Sequence, residues 1–131
     1  FNFSEIPDFY GYEGELLRCF INVYENAFKA IEEKAKKLEY PMLIETSTSF
    51  QGDFLEVEIK DNGIGVKESL KEQIFRPFFT TRDNGEGTGL GLSMVKDIVK
   101  FHNGEIMVDS QEGEFTKVNI RLYGKLKKEE K

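Results

Sequence analysis

The sequence predicts a single α/β domain. Three observations carry that prediction: a long stretch free of proline with apolar residues at helical spacing, several short segments of alternating apolar and polar residues, and a length of 131 residues that suits one compact unit.

Phe1 to Tyr12 carries short alternations around Pro7 and corresponds to a lead-in strand and loop. From Glu13 to Leu38, the residues Leu16, Phe20, Val23, Ala27 and Ile31 recur at steps of four, three, four and four, which sets them along one side of a long amphipathic helix. Tyr40-Pro41 ends it, because the residue before a proline is pushed out of the helical region. Met42 to Ser49 and Phe54 to Asp61 follow as strands, joined through Gln51-Gly52-Asp53 into a hairpin. Val66 to Phe75 has a weaker helical pattern. Thr80 to Gly91 holds glycines at 85, 87, 89 and 91, which gives a loop with no core of its own. Leu92, Val95, Ile98 and Val99 restore helical spacing up to the stop signal Asn103-Gly104. Glu105 to Asp109 and Phe115 to Tyr123 alternate as strands. The domain is expected over 1–124, and residues 125–131 form a charged tail.

Composition narrows the function. The chain is 39% hydrophobic and 32% charged with only three Pro, a globular balance. Eighteen Lys+Arg against 24 Asp+Glu leave a net charge of -6, which argues against a nucleic-acid partner, since such affinity needs clustered cations. The single Cys19 allows no internal disulfide and favours a reducing, cytoplasmic setting. No apolar run approaches the roughly 20 residues that span a bilayer, so no membrane contact is expected of this domain. The chain begins with neither Met nor a basic leader and is expected to be part of a longer protein whose other regions could carry an anchor.

Three groups of residues could carry chemistry. The polar strip of the first helix holds Asn22 and Asn26, although each Asn costs about 0.5 kcal/mol relative to Ala inside a helix. With Lys29 they form one stripe able to hold a hydrated cation and a phosphate; a solvated face is the plainer alternative. In Leu55 to Asp61, strand parity sets Asp61 on the buried side with Leu55, Val57 and Ile59, so the carboxylate needs a donor partner. Asp61-Asn62-Gly63 also fits a two-residue hairpin turn, but Gly65 and the helical residues after it favour an acid that meets a ligand amino group past bare backbone. Finally, Gly87-Thr-Gly-Leu-Gly-Leu-Ser93 runs into a helix, where free N–H groups and the helix dipole would face an anion such as phosphate, with Arg82 and Lys29 as countercharge. It is neither a P-loop nor a dinucleotide fingerprint.

Asn22-Val-Tyr-Glu-Asn26-Ala27, Asp61-Asn-Gly-Ile-Gly65, Phe75-Arg-Pro-Phe-Phe-Thr-Thr81 and Gly87-Thr-Gly-Leu-Gly-Leu-Ser93 together resemble, in order and spacing, the N, G1, F and G2 boxes of sensor histidine kinases. The chain is similar over nearly its whole length to their catalytic, ATP-binding domain, in the superfamily shared with DNA gyrase, heat-shock chaperones and mismatch-repair ATPases. The resemblance implies a two-layer α/β sandwich, the Bergerat fold, with a mixed, mainly antiparallel sheet packed against helices. It implies ATP and Mg²⁺ as cofactors, with Asp61 accepting from the adenine amino group, Gly63 and Gly65 beside it, and Asn26 as the metal ligand. Lys29 matches a phosphate-contacting lysine. Thr80, Thr81, Arg82, Gly87, Thr88, Gly89, Leu90, Gly91 and Leu92 fall in the region of the ATP lid, with Phe75, Phe78 and Phe79 packing its base.

Two departures from the family pattern matter. Gly113-Glu114-Phe115-Thr116 stands where the family usually has Gly-x-Gly-Thr, which bears on any tight backbone approach at Phe115. Hydrolytic members of the superfamily carry a glutamate base four residues before the metal asparagine, where this chain has Asn22, and an amide takes no proton from water at neutral pH. Transfer rather than hydrolysis is implied. Glu25 could polarise an acceptor or simply pair with Lys29 on the helix surface. His102 lacks the surroundings of an acceptor and is expected to be a helix-end residue. The partners implied are a dimerisation domain of the same parent protein, which bears the acceptor histidine, and a downstream response regulator, the parent being a homodimer. The rival functions are a serine kinase of the anti-sigma-factor type and a non-catalytic nucleotide sensor.

Overall fold

A computed structural model describes residues 2–3, 13–52, 54–76 and 91–123. The described elements are β1 (Asn2–Phe3), α1 (Glu13–Ala35), β2 (Ile44–Gln51), β3 (Phe54–Asp61), a 3₁₀ turn (Glu68–Leu70), α2 (Gly91–Phe101), β4 (Glu105–Gln111) and β5 (Phe115–Tyr123). The strands form one sheet in the order β1-β2-β3-β5-β4. Among the described strands only β1, beside β2, is parallel. The other three pairings are antiparallel, so the sheet is mixed and mainly antiparallel, as the family resemblance implies.

Both helices lie on one face of the sheet. β3 alternates half-buried and buried residues along its full length, the signature of a strand covered on one side. Leu55, Val57 and Ile59 meet Val118, Ile120 and Leu122 of β5 beneath Cys19 and Val23 of α1 and Val95, Ile98 and Val99 of α2. Each such side chain, fully buried, contributes about 1.5–3 kcal/mol of transfer free energy. The two helices and the sheet are therefore locked by one shared core. The opposite face is polar: the Asn119 amide donates to Glu56 at 2.7 Å, and Arg121 and Lys117 lie beside Glu56 and Glu58.

β2 runs on to Gln51 rather than ending at Ser49 and β4 to Gln111 rather than Asp109, and three further differences have a local cause. α1 stops at Ala35 rather than Leu38, because Lys37 N–H bonds to Lys34 C=O three residues back and tightens the last turn. β2 starts at Ile44 rather than Met42, since the backbone at Pro41 and Leu43 is engaged by the Asn62 side chain, which donates to Pro41 C=O and accepts from Leu43 N–H. Val66 to Phe75 forms a single 3₁₀ turn followed by further turns linked through i→i+3 bonds, with Ile74 as its buried residue. The charged tail lies outside the described residues.

Candidate functional site

β3 delivers Asp61 to the buried face at the strand's end, where it is only 4% exposed. In register it lies between Ile44 of β2 and Thr116 of β5, and Thr116 in turn opposes Ser110 of β4. Directly paired residues share a face, so Asp61, Thr116 and Ser110 make a polar row at the end of an otherwise apolar layer. Ser110 Oγ accepts from Val66 N–H at 2.9 Å, donates to Phe115 C=O at 2.7 Å and lies 2.9 Å from Thr116 Oγ1. Ser110 was not singled out by sequence, and Thr116 entered only as the end of the Gly113-Glu114-Phe115-Thr116 pattern, without a link to Asp61. The signal lay in the strand register, which places Thr116 opposite Asp61 and is not visible along one strand.

The donor that Asp61 required is its own loop: Oδ1 accepts from Gly63 N–H at 2.8 Å. Burial raises its pKa to about 6, against the opposing pull of that N–H and of the Lys34 charge. The chain does not turn back after Asp61 as a hairpin would. It crosses α1, with Ile64 N–H donating to Ala30 C=O at 3.1 Å. This crossing explains both glycines. A Cβ at Gly63 would lie 2.5 Å from the Ala30 carbonyl carbon, and one at Gly65, whose φ is +73°, would collide with the Gln111 carbonyl. The close approach to the β4–β5 turn comes from Gly65 and from Gly113, whose N–H donates to Ile64 C=O at 2.6 Å. Phe115 is not needed for it.

The second wall is the face of α1. Asn26 is exposed, and Gly91, the first residue of α2, is close enough that a Cβ there would lie 3.5 Å from Asn26 Nδ2 and 3.7 Å from Oδ1. The amide thus stands at the N-terminal end of an 11-residue helix, the end at which a helix dipole favours an anion. Asn26 and Ala30 lie one turn apart, about 6 Å along the axis, so α1 carries both walls on one side. Lys29 is half-buried between them in sequence, and Leu92 lies in the first turn of α2.

Two members of the expected stripe behave differently. Asn22 is turned along the helix, its Nδ2 donating to Arg18 C=O at 2.9 Å, because the spacing lets an amide cap its own i-4 carbonyl. The Glu25–Lys29 ion pair does not close among the described residues; the α1 pairs that do are Glu15–Arg18 at 3.9 Å and Glu33–Lys36 at 3.8 Å. Thr80, Thr81, Arg82, Gly87, Thr88, Gly89 and Leu90 lie outside the described residues, as do Phe78 and Phe79. Phe75 is half-buried with the Lys96 ammonium 5.3 Å from its ring centre. His102 is buried at the end of α2, Nδ1 2.8 Å from Ile98 C=O.

Residues 11–125 match the family model of histidine kinase-, DNA gyrase B- and HSP90-like ATPases. The chain belongs to this family. Within it, the chain is a catalytic, ATP-binding domain of the sensor-histidine-kinase type. It is 34% identical over 119 residues to sporulation kinase E of Bacillus subtilis, covering 91% of this chain and 15% of that protein. It is 35% identical over 108 residues to the sensor histidine kinase ZraS of Escherichia coli, covering 82% of this chain and 21% of that protein. The domain thus spans about a fifth or less of these relatives. The nucleotide-free catalytic domain of histidine kinase ThkA has the same fold, with a TM-score of 0.71 and 27% identity over 87% of this chain and 70% of that one. The two-layer α/β sandwich of this family is therefore the fold of this chain.

Proposed function

We propose that the domain holds Mg-ATP across α1, purine at Asp61 and phosphates between Asn26 and the start of α2, and donates the γ-phosphoryl group to a histidine on a separate dimerisation domain of its parent protein. A response regulator then receives the phosphoryl group, and the parent is a homodimer whose catalytic domain works in the cytoplasm. The observation that carries the purine end is the buried Asp61 carboxylate, whose Oδ1 is taken by Gly63 N–H. Oδ2 is the oxygen assigned to an exocyclic amino group.

Support for the metal is the donor set. Among the described residues, no group of three or more His, Cys, Asp or Glu forms a cation cage. Mg²⁺ needs none, since it keeps several waters and is commonly held by one or two protein oxygens together with substrate phosphates. The exposed Asn26 Oδ1 beside the α2 N-terminus suits that arrangement. When bound, the ion neutralises phosphate charge. The protein's own part is to position the nucleotide and to stabilise charge with Lys29 and the α2 N–H groups.

Phosphoryl transfer rather than hydrolysis follows from Asn22, whose amide is no base and is committed to the Arg18 carbonyl. The acceptor lies outside this chain, because its one histidine is 2% exposed and packed at a helix end. Mixing the chain with the dimerisation domain of its parent and labelled ATP tests the assignment. Phosphohistidine on that domain is expected; tight nucleotide binding without transfer would make this a nucleotide sensor instead.

A further inference from the structure

Asp61 is followed directly by a backbone carbonyl that is clamped from α1. Lys34, in the last turn of α1, donates from Nζ to Asn62 C=O at 3.3 Å and to Gly113 C=O at 3.0 Å. The same ammonium stands 4.5 Å from the ring centre of Tyr40, whose hydroxyl donates to Ile31 C=O at 3.2 Å. Four segments meet at one cation: the end of α1, the 36–43 connection, the loop after β3 and the β4–β5 turn. The carbonyls it bridges belong to two segments already joined by Gly113 N–H and Ile64 C=O.

We propose that Lys34 is a positioning residue for nucleotide binding, fixing the Asp61–Gly65 loop and the β4–β5 turn against α1 so that the carboxylate is held toward the purine. The inference deepens the proposed function and rests on its assignment of Asp61. Lys34 acts in two ways. Its hydrogen bonds fix the backbone on which Asp61 turns, and its charge favours the ionised carboxylate. The titratable groups that act on Asp61 are Lys34 from α1 and Tyr40 from the connection, while its strand neighbours Ile44 and Thr116 are uncharged. Among the described residues, Lys34 is therefore the cation that acts on it.

The test uses the full 131-residue chain with Lys34→Met, which removes charge and donors, Lys34→Gln, which keeps an amide donor without charge, and Lys34→Arg. Two quantities are read: the titration midpoint of the Asp61 carboxyl by ¹³C NMR without nucleotide, and the ADP dissociation constant by calorimetry across pH 5 to 8. Lys34→Met is expected to raise the midpoint and to weaken ADP about tenfold at neutral pH, the scale of a lost charged hydrogen bond. Lys34→Gln should raise the midpoint with a smaller loss of affinity, and Lys34→Arg should restore both. An unchanged midpoint and unchanged ADP affinity in a folded Lys34→Met protein would overturn the proposal. If that variant does not fold, an unchanged midpoint in Lys34→Gln overturns it equally. Failure of the underlying assignment shows separately, as Asp61→Asn binding ADP like the parent chain while the nucleotide-free midpoint still responds to Lys34.

Discussion

The two walls of the site are built to different standards. At the Asp61 wall protein groups hold one another: Gly63 N–H on Oδ1 of the carboxylate, Ala30 C=O on Ile64, Lys34 on Asn62 and Gly113, and Ser110 on three neighbours. At the Asn26 wall an exposed amide stands 3.5 Å from where a Gly91 Cβ would be, with Asn22 and Lys29 half-buried on either side of it along the helix. A buried wall must be satisfied before any ligand arrives, because an unpaired polar group there costs about 1–3 kcal/mol. An exposed wall can leave its partners to the ligand. In the proposed binding mode, selectivity for a base therefore belongs to the rigid side, and the side assigned to phosphate and cation carries no such requirement.

The contrast should break first at the glycines. Gly63→Ala is expected to destabilise the fold by about 1–3 kcal/mol or more, since its methyl would lie 2.5 Å from the Ala30 carbonyl carbon and backbone must move. Gly91→Ala meets Asn26 at ordinary contact distance and should change stability by less than about 0.5 kcal/mol. Thermal unfolding of the two variants side by side would check this.

Asp61→Asn comes next, with two effects of opposite sign. ADP binding should weaken by about 1–3 kcal/mol, read by calorimetry. The empty fold should gain on the order of 2 kcal/mol at pH 7. The sign follows from the raised pKa: the folded carboxyl holds its proton more tightly than the unfolded one, so the parent loses stability as pH rises from 3.8 through about 6 and bears the whole penalty above that. The variant's advantage should therefore shrink on acidification toward pH 4. Parent ADP affinity should fall as pH drops through about 6, where the acceptor is protonated. The smallest effect on the fold is expected for Asn26→Ala, which should leave the melting temperature within the range of surface substitutions while removing the Mg²⁺ dependence of nucleotide binding. A dependence that survives would put the metal elsewhere.

The same contrast governs what was legible in the sequence. Strand parity alone turned Asp61 inward, and the apolar steps from Leu16 to Ile31 gave α1, because burial imposes a period that single residues display. The reason for Gly63 and Gly65 was not legible in full: their obstacles, Ala30 and Gln111, are more than 30 residues away and appear only when loop, helix and turn are brought together. Asn22 illustrates the limit on an exposed face. Its spacing from Asn26 suggested a shared ligand, yet an amide in a helix also has its own i-4 carbonyl within reach, and that bond is the one formed. Lys34 carried no signal in the sequence, because the two carbonyls it holds come to it only through the chain crossing at the end of α1.

In the proposed binding mode, Asp61 and Asn26 grip opposite ends of one purine triphosphate across α1. A crystal structure of the chain with Mg²⁺ and a non-hydrolysable ATP analogue tests it most directly. The exocyclic amino group is expected within hydrogen-bond distance of Asp61 and the ion against Asn26 Oδ1; a purine bound away from Asp61, or a cation bound away from Asn26, would contradict this binding mode.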